Sequence, residues 1–236
     1  MTDHPSPSTR LPPASLRAAV WILALVLAAQ SVWILGAERF RPGLVALPAS
    51  HELAAVAATR RGDAAFAARL AALRGDLWAE AALSYADLLW VAPPTNGPSR
   101  VDPLKEARAS ATQAIALAPD QPAVWLLLAG LASRYGWPSP VPAEALKMSY
   151  YTGPREDSLM PMRLDIAARL ATPADPELSR LFRRDIELIL THRTRLKGAI
   201  AAAYRDATPE TKRALEEEVG RLDPPFLESL RGGAAR

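Results

Sequence analysis

Polar and apolar positions divide the chain into two regimes. Positions 18–37 carry no charge, and Gln30 and Ser31 are the only strongly polar side chains among them. As a helix rising 1.5 Å per residue, this run is roughly 30 Å long, the thickness of a bilayer hydrocarbon core. Trp21 and Trp33 lie toward its two ends, where indoles favour the headgroup level. Arg17 on one side and Glu38, Arg39 and Arg41 on the other bound the run, and Pro42 is expected to stop the helix. A cleaved signal peptide would have a shorter apolar region ending in a small-x-small site, which Leu35-Gly36-Ala37 matches poorly. The run therefore reads as an uncleaved membrane anchor, preceded by a tail over 1–17 and followed by a linker over 38–50.

Beyond the linker, apolar residues recur three or four positions apart, which predicts helices over 51–59, 63–73 and 77–90. The stretch 92–100, rich in Pro, Gly and Asn, predicts a loop. Asp102-Pro103, Asp175-Pro176, Thr208-Pro209 and Asp223-Pro224 mark helix starts by chemistry. A side-chain oxygen caps free backbone N–H groups, and proline occupies the first turn without losing a hydrogen bond. After Asp175, the residues Leu178, Leu181, Phe182, Ile186, Ile189 and Leu190 form an inward stripe opposite Arg180, Arg183, Arg184 and Glu187. Leu215, Val219 and Leu222 repeat that stripe after Thr208.

Composition narrows the fold to all-α. Half of the 236 residues are apolar, with 22 prolines, 12 glycines and few β-branched runs, so a β-rich fold is excluded. The absence of cysteine removes disulfides, thiolate zinc sites, iron–sulfur clusters and cysteine nucleophiles together. Phosphate-binding glycine loops and a G-x-S-x-G elbow are missing. His51-Glu52 lacks the second histidine of a zinc-protease helix, and His192 reads as a cation at a helix C-terminus. Glu216, Glu217 and Glu218 are consecutive, so they are expected to fan over a solvated helix face near Lys212 and Arg213. The formal charge of +3 is spread among interleaved acids, which argues against nucleic acid. No enzyme activity and no cofactor are expected. Arg39, Arg41, Arg60 and Arg61 lie close to the anchor and could meet anionic headgroups.

Trp78, Ala81, Ala82 and Tyr85, followed by Ala107, Ala111, Ala114, Ile115, Leu117 and Pro119, resemble the tetratricopeptide repeat family, whose helix pairs recur over about 34 residues. Trp125, Leu128 and Ala129 begin a second unit in the same register, with Ala132 in the usual tyrosine place. Trp78 and Trp125 are 47 residues apart, so the Pro-rich loop acts as an insertion. This resemblance implies an α-solenoid of antiparallel helix pairs over 51–174, divergent capping helices over 175–236, and a concave surface that binds a partner without chemistry of its own.

Arg134, Tyr135, Gly136 and Trp137, with Pro138, and then Lys147, Tyr150, Tyr151 and Arg155 concentrate aromatics and cations in an aromatic-poor chain. Those residue types dominate binding hot spots, so Arg134, Trp137, Lys147, Tyr150, Tyr151 and Arg155 are the candidate partner site. The alternative is that Trp137 and Tyr150 fill the joint between two repeats. The local string 147–155 resembles accessory proteins of bacterial surface-polysaccharide assembly. Arg10 and Arg17 balance Arg39 and Arg41, so the positive-inside count ties. The short tail before a first span is the layout of a signal anchor, with the tail cytoplasmic and the body in the periplasm of a bacterial inner-membrane protein. The expected role is a membrane-anchored scaffold docking another envelope protein. A second role is glycan or peptide binding, with Trp137, Tyr150 and Tyr151 stacking on a sugar. A third is an accessory subunit of a larger membrane complex, joined through Gln30.

Overall fold

The computed structural model describes residues 14–44, 46–48, 50–90, 101–137, 139, 141–170 and 174–234. The expectations for Arg10, for the loop over 92–100, for Pro138 and for the capping side chain of Asp102 lie outside the described residues. Among the described residues the chain forms twelve α-helices and no strand. They are α1 (Ala14–Arg39), α2 (His51–Thr59), α3 (Arg61–Leu70), α4 (Gly75–Leu83), α5 (Val101–Leu117) and α6 (Pro122–Tyr135), then α7 (Pro142–Thr152), α8 (Met160–Arg169), α9 (Pro176–His192), α10 (Lys197–Asp206), α11 (Pro209–Leu222) and α12 (Pro224–Ala234).

The start signals act as their chemistry requires. Asp175 accepts from the N–H groups of Glu177 and Leu178, Thr208 from Thr211, and Asp223 from Phe226. Each satisfies donors that the first helical turn leaves unpaired. The helix expected over 77–90 breaks instead. α4 ends at Leu83, Ser84 turns its hydroxyl back onto the Ala81 carbonyl at 2.6 Å, and a 3₁₀ turn follows over Ala86–Leu89. A hydroxyl that competes for the backbone in this way loosens a helix.

α1 is long and apolar enough to cross a membrane, and its residues from Ala14 to Leu35 are exposed. Its last turns join the body. Ala37 is fully buried among Ala64, Ala67, Ala68, Ala71, Leu77 and Ala81. Just beyond the helix, Arg41 bridges to Glu80 at 2.5 Å and to Asp76 at 3.5 Å, while Arg74 bridges Glu38 at 2.5 Å. The segment read as a linker therefore begins with residues bound into the body.

In the middle of the chain each helix packs on its sequence neighbour, α4 on α5 and α6 on α7. Glycine makes both contacts close. A methyl on Gly75, the first residue of α4, would lie 2.7 Å from the β-carbon of Ala118, just past α5. A methyl on Gly153, just past α7, would lie 2.7 Å from Pro122, the first residue of α6. Start meets end in both pairs, so both are antiparallel. After α7 the pattern changes: α8 packs chiefly on α10, and α9 most extensively on α11. The Thr208 N–H donates to the Ala168 carbonyl at 3.0 Å, which ties the C-terminal ends of α8 and α10 side by side.

The stripe after Asp175 is buried as its spacing predicts, with Leu181 only half-buried, but Asp185 is buried beside it at 2 % exposure. Of the glutamate run, Glu217 is exposed as expected, but its two neighbours are engaged with other side chains. Glu218 is buried and pairs with Arg221, while Glu216 accepts from the Tyr204 hydroxyl and pairs with Arg231. Lys212 and Arg213 are not the partners these bonds use; Glu216 reaches instead to Tyr204 of α10 and Arg231 of α12.

Candidate functional site

A groove of about 620 Å³ opens along α6, α8 and α10. From α6 come Gly130, Ser133 and Arg134, and from α8 come Met162, Asp165, Ile166 and Arg169. Both sets are spaced three and four apart, so each is one helix face. Ala202 and Asp206 of α10 close one side, and Leu47, Pro48, Leu89 and Trp90 close the other. Gly130 permits the floor: a methyl there would meet Leu89 at 2.6 Å and Ile166 at 3.2 Å, so its hydrogen lets both side chains close over the helix.

The rim carries both charges. Arg169 bonds Asp165 one turn back on α8. Burial holds the Asp165 carboxyl above its ordinary pKa, nearby Asp206 adds to the rise, and Arg169 and Arg134 oppose it. The groove therefore combines an apolar floor with fixed positive and negative groups, the composition of a recognition surface. No group of three or more metal-ligating side chains occurs among the described residues.

The six residues singled out in the sequence do not share one surface. Arg134 lines the groove. Trp137 is half-buried just past α6 and packs against the core, with the Arg108 guanidinium 5.3 Å from its ring. Lys147 and Tyr151 come together at the start of α9. Lys147 is 2.7 Å from Glu144 and 3.2 Å from both Asp175 and Glu177, and the Tyr151 hydroxyl donates to Glu177. The hydrogen bond to Glu144 above all, then those to Asp175 and Glu177, raise the Lys147 pKa. Asp175 thus both caps α9 and holds α7 to it. Arg155 is exposed in the turn between α7 and α8.

Tyr150 is core, at 4 % exposure, under the Arg163 guanidinium at 4.7 Å. Arg163 is itself fully buried. It donates through Nε to the Ser149 hydroxyl at 3.1 Å, and through Nη2 to the Ser149 carbonyl and to the Gly153 carbonyl at 2.9 Å. Asp185 faces this pair from α9 without closing an ion pair. Arg163 Nη1, Tyr150 Oη and Asp185 Oδ2 are buried and make no hydrogen bond of normal geometry. Burial raises the Asp185 carboxyl to about 6, against the pull of Arg163. Burial likewise lowers the Arg163 pKa and raises that of Tyr150. This cluster welds α7, α8 and α9 and offers nothing to solvent.

Sequence reasoning missed Met162, Asp165 and Arg169. Their signal was present as a second stripe on α8, opposite the buried Leu164 and Ala167, but only the neighbouring α6 and α10 turn that stripe into a groove. No family model, curated protein or solved structure matches the chain.

Proposed function

We propose that the chain is a single-span protein of a bacterial inner membrane whose helical body docks a segment of another envelope protein in the groove along α6, α8 and α10. The observation that carries this reading is the groove itself: an apolar floor with two arginines and two aspartates at its rim, in a body joined to an apolar helix of membrane-spanning length.

A repeat scaffold of tetratricopeptide type is supported by two internal correspondences. Trp78 and Trp125 each donate their indole N–H to the carbonyl six residues upstream, Ala72 at 2.9 Å and Pro119 at 2.8 Å. The second is the order of helices. α6, α8 and α10 adjoin along the groove, and α7, α9 and α11 adjoin behind them, as two rows of a solenoid would. The resemblance of 147–155 to accessory proteins of surface-polysaccharide assembly favours a partner from such a system. The glycan-binding alternative loses one of its three rings, because Tyr150 is buried.

The test is affinity purification of the full chain in mild detergent, followed by mass spectrometry of what accompanies it. Met162→Glu combined with Asp206→Lys should release a stoichiometric partner while the helical circular dichroism is retained. Retention by that variant and loss by Tyr151→Ala with Arg155→Glu would move the contact to the α7–α9 face and overturn the groove. Reporter fusions at the C-terminus decide the side of the membrane: an active periplasmic reporter is expected, and an active cytoplasmic one overturns the orientation.

A further inference from the structure

We propose that the turn over 71–74, between α3 and α4, is a second membrane contact: a foot that enters the lipid headgroup layer beside α1 and sets the tilt of the body. The inference rests on the reading of α1 as a membrane span.

Three contacts give the direction of α3. The Phe66 ring lies edge-on to Phe40 with centroids 4.7 Å apart, and the Trp33 indole N–H donates to the Leu70 carbonyl at 2.6 Å. A methyl on Gly36 would touch Leu70 at 3.5 Å. From Phe40 to Trp33 is a descent of about 10 Å along α1, and α3 descends about 6 Å from Phe66 to Leu70 between the same two contacts, the Trp33 side chain reaching the rest. α3 therefore runs antiparallel to α1, toward the apolar run. α4 climbs back, with Arg74 on Glu38 and then Asp76 and Glu80 on Arg41. The turn between them is the lowest point of this hairpin, level with Trp33 and thus with the last turns of the uncharged run 18–37.

At that point the chain exposes apolar surface. Ala72 is exposed and Leu73 is 80 % exposed, the highest value among the large hydrophobic side chains of the described residues. In water a lone exposed leucine needs no explanation, but this one sits at the depth of the Trp33 indole, which itself marks the headgroup level. Lipid is the occupant because Leu73 follows Leu70 by three residues, and Leu70 lies against Trp33 and Gly36 in the last turns of the apolar run. Arg69, exposed one turn above, supplies a cation at the height of lipid phosphates. The ion pairs among Glu38, Arg41, Arg74, Asp76 and Glu80 hold hairpin and span as one rigid piece, so the foot and the span together fix the groove's orientation to the bilayer.

The chain has no cysteine, so a single introduced one can be labelled uniquely. The full chain bearing a nitroxide at Leu73→Cys, placed in nanodiscs of phosphatidylethanolamine and phosphatidylglycerol, is read by power saturation with oxygen and with a water-soluble nickel chelate. Leu25→Cys serves as the mid-span reference and Arg213→Cys as the solvent reference. The oxygen-to-nickel accessibility ratio at Leu73 should lie between the two references and severalfold above that of Arg213, and Ala72→Cys should report the same layer. If Leu73 and Ala72 match Arg213 while Leu25 is lipid-immersed, the foot is wrong and the span stands. If Leu25 is itself water-exposed, the spanning reading fails and takes the foot with it. A circular dichroism melt on each labelled protein shows that position 73 tolerates the label.

Discussion

The helices before Gly153 and those after it solve one packing problem in two ways. In α4–α7 each helix lies against its neighbour in sequence, and glycine or alanine at the contact lets the backbones approach closely. In α8–α11 the main partner is two helices away, and the buried side chains include Phe182, Ile186 and Ile200 as well as Ala167, Ala168 and Ala203. A short connection and a small-residue face make a neighbour the cheapest partner. After Gly153, α8 and α9 cover their apolar stripes chiefly against the helix two places along the chain. The two modes meet at Arg163, Tyr150 and Asp185, one residue from each of α8, α7 and α9.

That junction is the place to break the contrast. Arg163→Ala removes three hydrogen bonds to Ser149 and Gly153, whose carbonyls keep only the N–H groups of Gly153 at 3.2 Å and Glu156 at 3.3 Å, opens a cavity over Tyr150 and removes the cation facing Asp185. It should cost about 3–5 kcal/mol in urea unfolding of the detergent-solubilised protein. A loss below 1 kcal/mol would show that the two modes do not depend on one another.

Asp185 should make the junction sensitive to pH. Its carboxyl is held at about 6 in the folded protein, against an ordinary value of 3.8. The folded chain therefore binds more protons between those values. The stability it contributes is complete below the ordinary value and is lost as pH rises through 6. Asp185→Asn should stabilise the protein by about 2–3 kcal/mol at pH 7.5 and by almost nothing at pH 4, measured as the difference between denaturation curves. Carboxylates held low by their partners, such as Asp175 and Asp223, act with the opposite sign at more acidic pH and cancel in that difference. An equal effect at both pH values would exclude titration of Asp185 in this window.

Close approach in the neighbour-packed part is tested by Gly153→Ala. The backbone there accommodates alanine, but the new methyl would collide with Pro122, so a loss of about 1–3 kcal/mol is expected from overpacking. The smallest effect belongs to Gly198→Ala in α10, where a methyl meets nothing within 4 Å. That variant should gain about 0.5 kcal/mol from reduced freedom of the unfolded chain. A comparable loss at both glycines would erase the distinction between the two regions.

Much of the helical framework was legible residue by residue. Asp175, Thr208 and Asp223 marked three helix starts because capping is a local exchange between a side-chain oxygen and nearby N–H groups. The uncharged run showed an apolar helix of spanning length for an equally local reason. The candidate site was less legible. Aromatics and cations were grouped by sequence proximity, yet Tyr150 and Tyr151 are adjacent and point to opposite fates, one under Arg163 in the core and the other exposed against Glu177. Successive helical positions lie about 100° apart, so adjacency along a helix says little about shared surface. Asp185 was hidden because the groups it faces, Arg163 and Tyr150, lie on other helices.

The caps at Asp175, Thr208 and Asp223, the inward stripe of α9 and the apolar character of α1 follow from sequence alone, since each depends on residues within a few turns of one another. Which helix lies beside which, and therefore the groove, the buried charge cluster and the level of Leu73 against Trp33, was decided only in the folded molecule. Apolar stripes specify that a face must be covered, but many partners cover it about equally well. The choice among them comes from close approach at single glycines and from ion pairs between residues more than thirty positions apart, such as Arg74 with Glu38 and Arg41 with Glu80.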